Sequence, residues 1–546
     1  RTILASPMAW EGSAAAAVPT AAALEELGCE LEVRRRRRLL ELGVAEAAIA
    51  ASRLAPTPRG EAGVCKRFKG SGAVRVMQFN VLAEAMANDG FLVRPVMAEW
   101  PIDHDSMPTT DGFVVEFSDM LREVMQAKGK DETMAALKVR YDVQVARRNL
   151  EAVVDSEARA LQLQLGVLSA GCPDIIVMQE VDTFGRLSVA LSEFGYASQL
   201  PGKSAPYVPA HLSGQGDRRC GDAAEAAFLR HFRDSGHTFL PKLGSTAMSI
   251  RLRGSDLGKK LPDAAAAAGV AEHVCDKDSG KLKKAPFLGL PGGSDPLLRA
   301  CGLSDPASID DDGVAIFWRR DRFEATSMQA HFNSENFSAI EVRLKARDSG
   351  RTIIVLGTHL GSGDTPKDET SRLEKQVLKE EGLAAWARSL RQEVVAMGAG
   401  EDRAALLLVL DANAHPQLRA LDGESNVWGA LRDAVGASVW DAYFDEKGSE
   451  RAAEGSGFDA PVTTNKLRGF ASDQVRKIGS HAYHAIDHIL FNPEGLELRG
   501  HAELGQVGRV QRYKSKEAAV QDMLPSLVNP SDHFPIVVDL QWRESP

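Results

Sequence analysis

The chain has 546 residues, 44% hydrophobic and 26% charged, a globular usage that excludes a collagen-like or wholly disordered polymer. Sixty-five Lys plus Arg against 75 Asp plus Glu give a net charge of -10, which excludes a uniformly basic nucleic-acid coat but not a local basic groove. No run approaches the roughly 18 apolar residues of a membrane span.

Residues 1–72 form an N-terminal extension, Ala-rich and then reading "LEELGCELEVRRRRRLLELGVAEAAIAASRLAP", which predicts one or two helices ended by a Pro-rich stretch, with disorder around them. The five arginines Arg34 to Arg38 invite a nuclear-localisation or RNA-arm reading, but Leu and Val recur at helical spacing on both sides, which favours a solvated helix face. From Val74 the pattern changes to short apolar runs: "VRVMQFNVL", "DIIVMQEV", "DGVAIFW", "SAIEVRLKA", "TIIVLGTHL", "LLLVLDAN", "AIDHILF" and "FPIVVDLQW". Near-continuous apolar strands mixed with helices at 144–168 and 370–396 predict an α/β (α+β) layered domain over 73–542. Stretches near 90–130 and 200–310 break the rhythm and read as insertions. Six cysteines, Cys29, Cys65, Cys172, Cys220, Cys275 and Cys301, are scattered with no C-x-x-C pair, too sparse for a disulfide framework and suited to a reducing compartment. That spacing points to an intracellular setting, in cytoplasm, nucleus or organelle, while the opening residue Arg1 leaves any targeting segment undetermined.

Several of these strands end in a group that burial alone would not select. Asn80 follows "VMQF", Glu180 follows "DIIVMQ", His359 follows "TIIVLGT", Asp411 and Asn413 follow "LLLVL", Asp487 sits in "AIDHIL", and Asp532 and His533 precede "FPIVVDL". Such groups are costly among apolar neighbours unless paired or bound to a cation. Carboxylate and amide oxygens with no cysteine nearby suit a hard ion such as Mg2+, with Mn2+ a substitute. A metal, a carboxylate that orients water and imidazoles that stabilise charge can together hydrolyse a phosphoester.

The ordered set "QFN", "QEVD", "THL", "LDAN", "IDHI" and "SDHFP" resembles the endonuclease/exonuclease/phosphatase superfamily across nearly all of 73–542. The wording "VMQFNVLAEAM", "PDIIVMQEVDTF", "FLPK", "DGVAIFWRRDRFE" and "LPSLVNPSDHFP" is most similar to the branch of nocturnin and the carbon-catabolite-repression-type deadenylases. The resemblance implies a four-layer sandwich of two packed mixed sheets flanked by helices. It implies that Glu180 is the principal metal ligand, helped by Asn80, and that His359 contacts the scissile phosphate. Asp411 would orient the attacking water, Asn413 contact the phosphate or metal, and Asp532 and His533 complete the site with Asp487 holding the His533 ring. Lys242 in "FLPK" and Arg372 in "TSRLEKQ" match phosphate-binding positions, although Arg372 and Gln376 stand four apart where the family spaces them by three. Gly361 replaces a Lys after "THL", and Asn465 replaces an aromatic residue after "TT".

The function expected is therefore a Mg2+-dependent phosphoester hydrolase of the 3′-5′ exoribonuclease or deadenylase kind, acting on an RNA 3′ end or an adenine nucleotide. A phosphatase of NADP(H)-type nucleotides is the alternative within the family. A catalytically silent binding protein is the alternative outside enzymes, and every motif residue is retained against it. The H-x-x-H-x-x-x-H series of His481, His484 and His488 does not read as zinc, because strand alternation turns Asp487 and His488 to opposite sides. His415 is expected in a loop near the site, and Asp441 in packing. No protein partner is predictable.

Overall fold

A computed structural model describes residues 19–52, 72–97, 143–203, 232–241, 256–282, 295–302, 312–398, 403–444, 448–449, 461–468, 481–499, 511–512 and 523–543, apart from 85, 88–89, 95, 278, 281 and 336. The apolar runs become strands. The first are β1 (Ala73–Asn80), β2 (Ile175–Val181), β3 (Tyr196–Ala197), β4 (Phe239–Pro241) and β5 (Gly313–Arg319). There follow β6 (Phe323–Phe332), β7 (Ser338–Ala346), β8 (Thr352–His359), β9 (Ala404–Asp411) and β10 (Ala437–Ser438). Short β11 (Pro461–Val462), β12 (Thr464–Leu467) and β13 (His481–His484) precede β14 (Asp487–Phe491), β15 (Leu496–Leu498), β16 (Gln511–Arg512) and β17 (Ile536–Trp542).

They build a seven-stranded sheet in the order β15-β17-β1-β2-β5-β3, with β4 on β5, and a six-stranded sheet in the order β10-β14-β9-β8-β7-β6. Both sheets are mixed: β1 with β2 and β8 with β9 are parallel, and the other pairs are antiparallel. Val76, Val177, Ile316 and Val538 of the first sheet interdigitate with Val342, Val355, Leu407 and Ile489 of the second. Each such side chain taken from water contributes on the order of 1.5–3 kcal/mol, so this central layer fixes how the sheets face one another. Helices Ser156–Ser169 and Phe184–Glu193 cover the outside of the first sheet through Leu161, Leu165, Phe184 and Leu191. Helices Leu383–Ala396 and Val427–Val435 cover the second through Leu390, Val394, Val427 and Leu431. The result is a four-layer α/β sandwich, the layered α/β domain that the strand pattern predicts in the arrangement that the resemblance implies.

Three details depart from the sequence reading. The helix expected at 144–168 is two, Val143–Val153 and Ser156–Ser169, divided where Asp155 accepts a hydrogen bond from the Ala158 amide as an N-cap. The helix expected at 370–396 is also interrupted, running Pro366–Arg372, a π-turn at Leu373–Val377, then Leu383–Ala396. The run Arg34 to Arg38 is not a uniformly solvated face. It lies in helix Ala21–Glu41, whose Leu24 and Leu31 pack into the cluster of Leu161, Leu165 and Leu168. Arg35 is fully buried on Glu32, and Arg38 pairs with Asp155 at 2.7 Å.

Within the stretch 200–310, helices Asp256–Ala267, Ala271–Val274 and Asp295–Ala300 gather a small core of Leu261, Ala265, Val274, Leu297 and Leu298. Most of the 90–130 stretch lies outside the described residues. Cys172 is disulfide-bonded, whereas Cys29 and Cys301 are free thiols. Among the described residues no helix is long and apolar enough to cross a membrane.

Candidate active site

Strand direction decides which residues meet. Strands β1, β2, β8 and β9 deliver their C-terminal ends to one edge of the sandwich, where Asn80 and Glu180 face His359 and Asp411. Strand β14 runs antiparallel to β9 and so brings its first residue to the same edge, with Asp487 in register against Asp411. Strand β17 runs antiparallel to β1, so the residues just before it, Asp532 and His533, arrive there too. His359 is in register with Asp411 across the parallel pair.

The side chains converge. Ligand atoms of Glu180, His359 and Asp411 lie within 4.8 Å of one another, as do those of Asp411, Asp487 and His533. The Asn80 amide donates to Glu180 Oε1 at 3.0 Å and to Asp411 Oδ2 at 2.8 Å. Its own oxygen is taken by the Leu82 N–H at 2.9 Å. Asn80 therefore presents N–H groups to the carboxylates and positions them. Its amide oxygen, expected to help hold the metal, is engaged by the Leu82 N–H in this arrangement.

Glu180 and Asn413 hold φ at +55° and +48°, left-handed conformations that cost a non-glycine residue of order 1–3 kcal/mol. The ladder between β2 and β5 slips between Met178 and Val181, and this bulge turns Glu180 into the cleft. The Asn413 amide nitrogen lies 3.0 Å from His359 Nε2 and donates to the Leu360 carbonyl, while its backbone N–H donates to Asp411 Oδ1.

His533 is held by Asp487, whose Oδ2 lies 2.8 Å from His533 Nδ1. This leaves Nε2 facing Asp411 Oδ2 at 3.9 Å and Asp532 Oδ1 at 3.8 Å. Burial alone would depress the imidazole, but Asp487, Asp532 and Asp411 push its pKa up to about 10, so the ring is cationic at neutral pH. Burial and then the charge of Asp487 raise Asp411 above the usual carboxylate range, against the pull of His533 and His359. Burial would raise Asp532 as well, but Lys466, ion-paired with it, and His533 hold it well below that range.

Asp532 Oδ1 is buried without a hydrogen-bond partner. An orphaned buried carboxylate oxygen beside a cluster of oxygen and imidazole donors fits a divalent cation or a cation-bound group. The set contains no thiolate, so a hard ion is the match.

Two expected phosphate ligands fare differently. Lys242 lies outside the described residues. Arg372 is 2% exposed, and its guanidinium is spent on Glu369 Oε2 at 2.8 Å and on the carbonyls of Gly361 and Gly363 at 3.0 and 2.8 Å. It anchors the loop after β8 and offers nothing to the cleft, which corrects its expected phosphate contact. The carboxylate that fixes it sits one helical turn earlier in "KDETSR".

Residues not singled out from the sequence complete the support. Gln78 donates to Gln179 Oε1 at 2.8 Å and to Asp487 Oδ1 at 2.6 Å. Thr463 Oγ1 accepts from the amides of Ile486 and Asp487, and Ser531 Oγ donates to the Asn80 carbonyl at 2.6 Å. Gln78 carried a signal, as a polar residue inside an otherwise apolar strand, whereas Thr463 and Ser531 look like ordinary turn residues. His488 turns away from Asp487 and bonds the Ala414 carbonyl, His415 stacks on His484 at 4.5 Å, and Asp441 pairs with Arg432.

No family model matches the chain. In sequence it is similar to Nocturnin from Drosophila melanogaster, 26% identical over 243 residues, 42% of this chain and 32% of that protein. The chain thus spans about a third of the length of the curated relative it matches. Among solved structures it is similar to the human Nocturnin catalytic domain with bound sulfate, at 15% identity and TM-score 0.37, covering 87% of this chain and 95% of that one. A second is ANGEL2, a 2′,3′-cyclic phosphatase, at 12% identity and TM-score 0.34, covering 86% and 95%. A third is TDP2 from C. elegans, at 13% identity and TM-score 0.29, covering 82% and 98%.

Proposed function

We propose that this chain, similar to the endonuclease/exonuclease/phosphatase superfamily on its nocturnin side, hydrolyses phosphoesters with a divalent metal, Mg2+ foremost. Its substrate in this reading is an RNA 3′ end or an adenine nucleotide. The observation that carries the reading is the meeting of Glu180, His359, Asp411, Asp487, Asp532 and His533 at one edge of the two sheets, although they come from five separate segments.

Glu180, with Asp411 beside it, would hold the cation. When bound, it supplies Lewis-acid neutralisation of the phosphate charge. Asp411, raised by burial and by Asp487, is suited to take a proton from the attacking water, and the Asn413 amide next to it fixes the line of approach. His533, kept cationic and aimed by Asp487, stabilises the negative charge that grows on phosphorus-bound oxygen. His359, on the other side of Asp411, is placed to donate a hydrogen bond to the same group.

The test is an assay of the full chain with Mg2+ on poly(A) RNA, 2′,5′-linked oligoadenylate, NADP(H) and phosphoinositides, with products identified by mass. Hydrolysis abolished by EDTA is expected, and Glu180→Ala and Asp532→Ala should each lower kcat by orders of magnitude while folding normally. Mononucleotide release marks the exonuclease and free phosphate the phosphatase. Full activity of either variant would remove that residue from the mechanism.

A further inference from the structure

The arginine run of the N-terminal extension reaches the active site without touching it. Arg35 is completely buried. Its Nε and Nη2 bind the two oxygens of Glu32 at 2.8 Å, Nη2 also donates to the Ser52 carbonyl at 3.0 Å, and Nη1 donates to the Leu527 carbonyl at 3.0 Å. A second buried donor, Gln162 Nε2, meets that same carbonyl at 2.6 Å. The Leu527 side chain lies in one cluster with Leu39, Val44 and Ile49. Both the carbonyl and the side chain of Leu527 are thus held from the extension.

Leu527 belongs to the loop that ends in Asp532 and His533. The loop is a continuous hydrogen-bonded unit. The Ser526 N–H donates to the Asn529 carbonyl at 2.7 Å, and Ser526 Oγ accepts from the amides of Val528 and Asn529. Asn529 Nδ2 donates to the His533 carbonyl at 2.7 Å, and Ser531 Oγ accepts from the His533 amide at 3.1 Å while donating to the Asn80 carbonyl. A displacement at Leu527 is therefore transmitted to the backbone of His533 through bonds that bracket it on both sides. The alternative, that Arg35 only docks the helix, is served already by Arg38 on Asp155 and by Leu24 and Leu31; it does not account for two buried donors on one loop carbonyl.

We infer that Arg35 is a positioning residue for the reaction, and that residues 21–52 are a buttress that sets the His533 loop against the Glu180 side of the cleft. This rests on the hydrolytic reading above for its effect on rate, but not for its effect on the loop.

The experiment compares Arg35→Gln, Gln162→Leu and Arg38→Gln in the full chain. Two measurements are made: steady-state hydrolysis of a labelled oligoadenylate RNA with Mg2+, and amide hydrogen exchange over 523–533. Arg35→Gln should lower kcat by about 10- to 100-fold, the range set by a displacement of about an ångström at a catalytic group, with KM changed less than twofold. Exchange over 523–533 should quicken. Gln162→Leu, which removes the other donor from the same carbonyl, should move both readouts in the same direction and serves where Arg35→Gln does not fold. Arg38→Gln should lower the melting temperature and leave kcat and the exchange of 523–533 unchanged. A kcat within twofold of wild type in both Arg35→Gln and Gln162→Leu, or unchanged exchange in the loop, overturns the inference. If the wild-type chain does not hydrolyse the RNA, the hydrolytic reading fails on that substrate, and the exchange measurement still decides the buttress.

Discussion

Removing the Arg372 guanidinium separates a structural role from a substrate-binding one. The side chains of Arg372 and Glu369 are 2% and 0% exposed, 2.8 Å apart, so the Arg372→Met substitution leaves a carboxylate in the interior without its counter-ion. Breaking a buried pair from one side costs about 3–5 kcal/mol. The two carbonyls that Arg372 also serves, on Gly361 and Gly363, are partly exposed, so water replaces those bonds and the ion pair dominates the loss. Glu369 Oε1 accepts from the Val427 N–H at 2.6 Å, and a glutamine can keep that bond through its own oxygen. The double substitution Arg372→Met with Glu369→Gln should therefore recover about half of the loss, since it removes the stranded charge and preserves the acceptor. The assay is isothermal urea denaturation of the wild-type chain, both single variants and the double variant, followed by KM for the RNA substrate where the proteins are folded. Stability of Arg372→Met within about 0.5 kcal/mol of wild type, a difference ordinary for surface changes, together with a tenfold rise in KM, would show that Arg372 reaches substrate and would refute the assignment.

Three further outcomes are expected. Asp487→Asn takes away the first of the three carboxylates that raise His533 to about 10 against burial, so its pKa falls; kcat should drop by about 10²–10⁴, the usual yield of a positioned acid or base, with the alkaline limb of the kcat profile shifted to lower pH, and an unmoved limb would count against His533. His488, whose pKa burial lowers from the ordinary 6.5 to about 4, favours the neutral ring in the folded chain. Its stabilisation is complete above about pH 6.5 and is lost as pH falls toward 4. At about 1.4 kcal/mol per unit, wild type should lose about 2 kcal/mol of its His488-dependent stability between pH 7.5 and pH 5, a loss absent in His488→Gln. Gly313 lies against β4, where an added Cβ meets the Leu240 carbonyl oxygen at 2.5 Å and Pro241 Cα at 2.7 Å; Gly313→Ala should cost about 1–3 kcal/mol in urea denaturation, and unchanged stability would mean that β4 is not packed there.

How far the sequence discloses this structure depends on where each signal comes from. The eight apolar runs are strands because sheets covered on both faces need apolar residues at nearly every position; β9 is buried at all eight of its residues. Strand β6 escaped the reading for the opposite reason. It is the edge of its sheet, its burial alternates and then fades, and "FEATSMQAHF" has no run long enough to stand out. The helix break at Asp155 depends on one cap, and apolar spacing continues across it. The acidic and imidazole residues were legible because a charged group at the end of a buried strand requires a partner. Arg372 misled because a basic residue after a catalytic strand says nothing about which carboxylate claims it, and Glu369 lies only one turn away.

The same distinction explains why Arg35 could not be read as it stands. Within a run of five arginines every member looks equally solvated, and helical spacing alone sends the run to the surface. What sets Arg35 apart is an acceptor nearly 500 positions later in the chain, 3.0 Å away in space. Burying a guanidinium is tolerated only where its donors are satisfied, and here they are satisfied by three segments at once: Glu32 in the same helix, Ser52 further along the extension, and Leu527 in the loop before His533. An extension that merely lay on the domain could have been held by apolar contacts. Placing the buried Arg35 on the carbonyl of the catalytic loop couples the fold of residues 21–52 to the geometry of the site, so loss of this segment should register in kcat before it registers in substrate affinity.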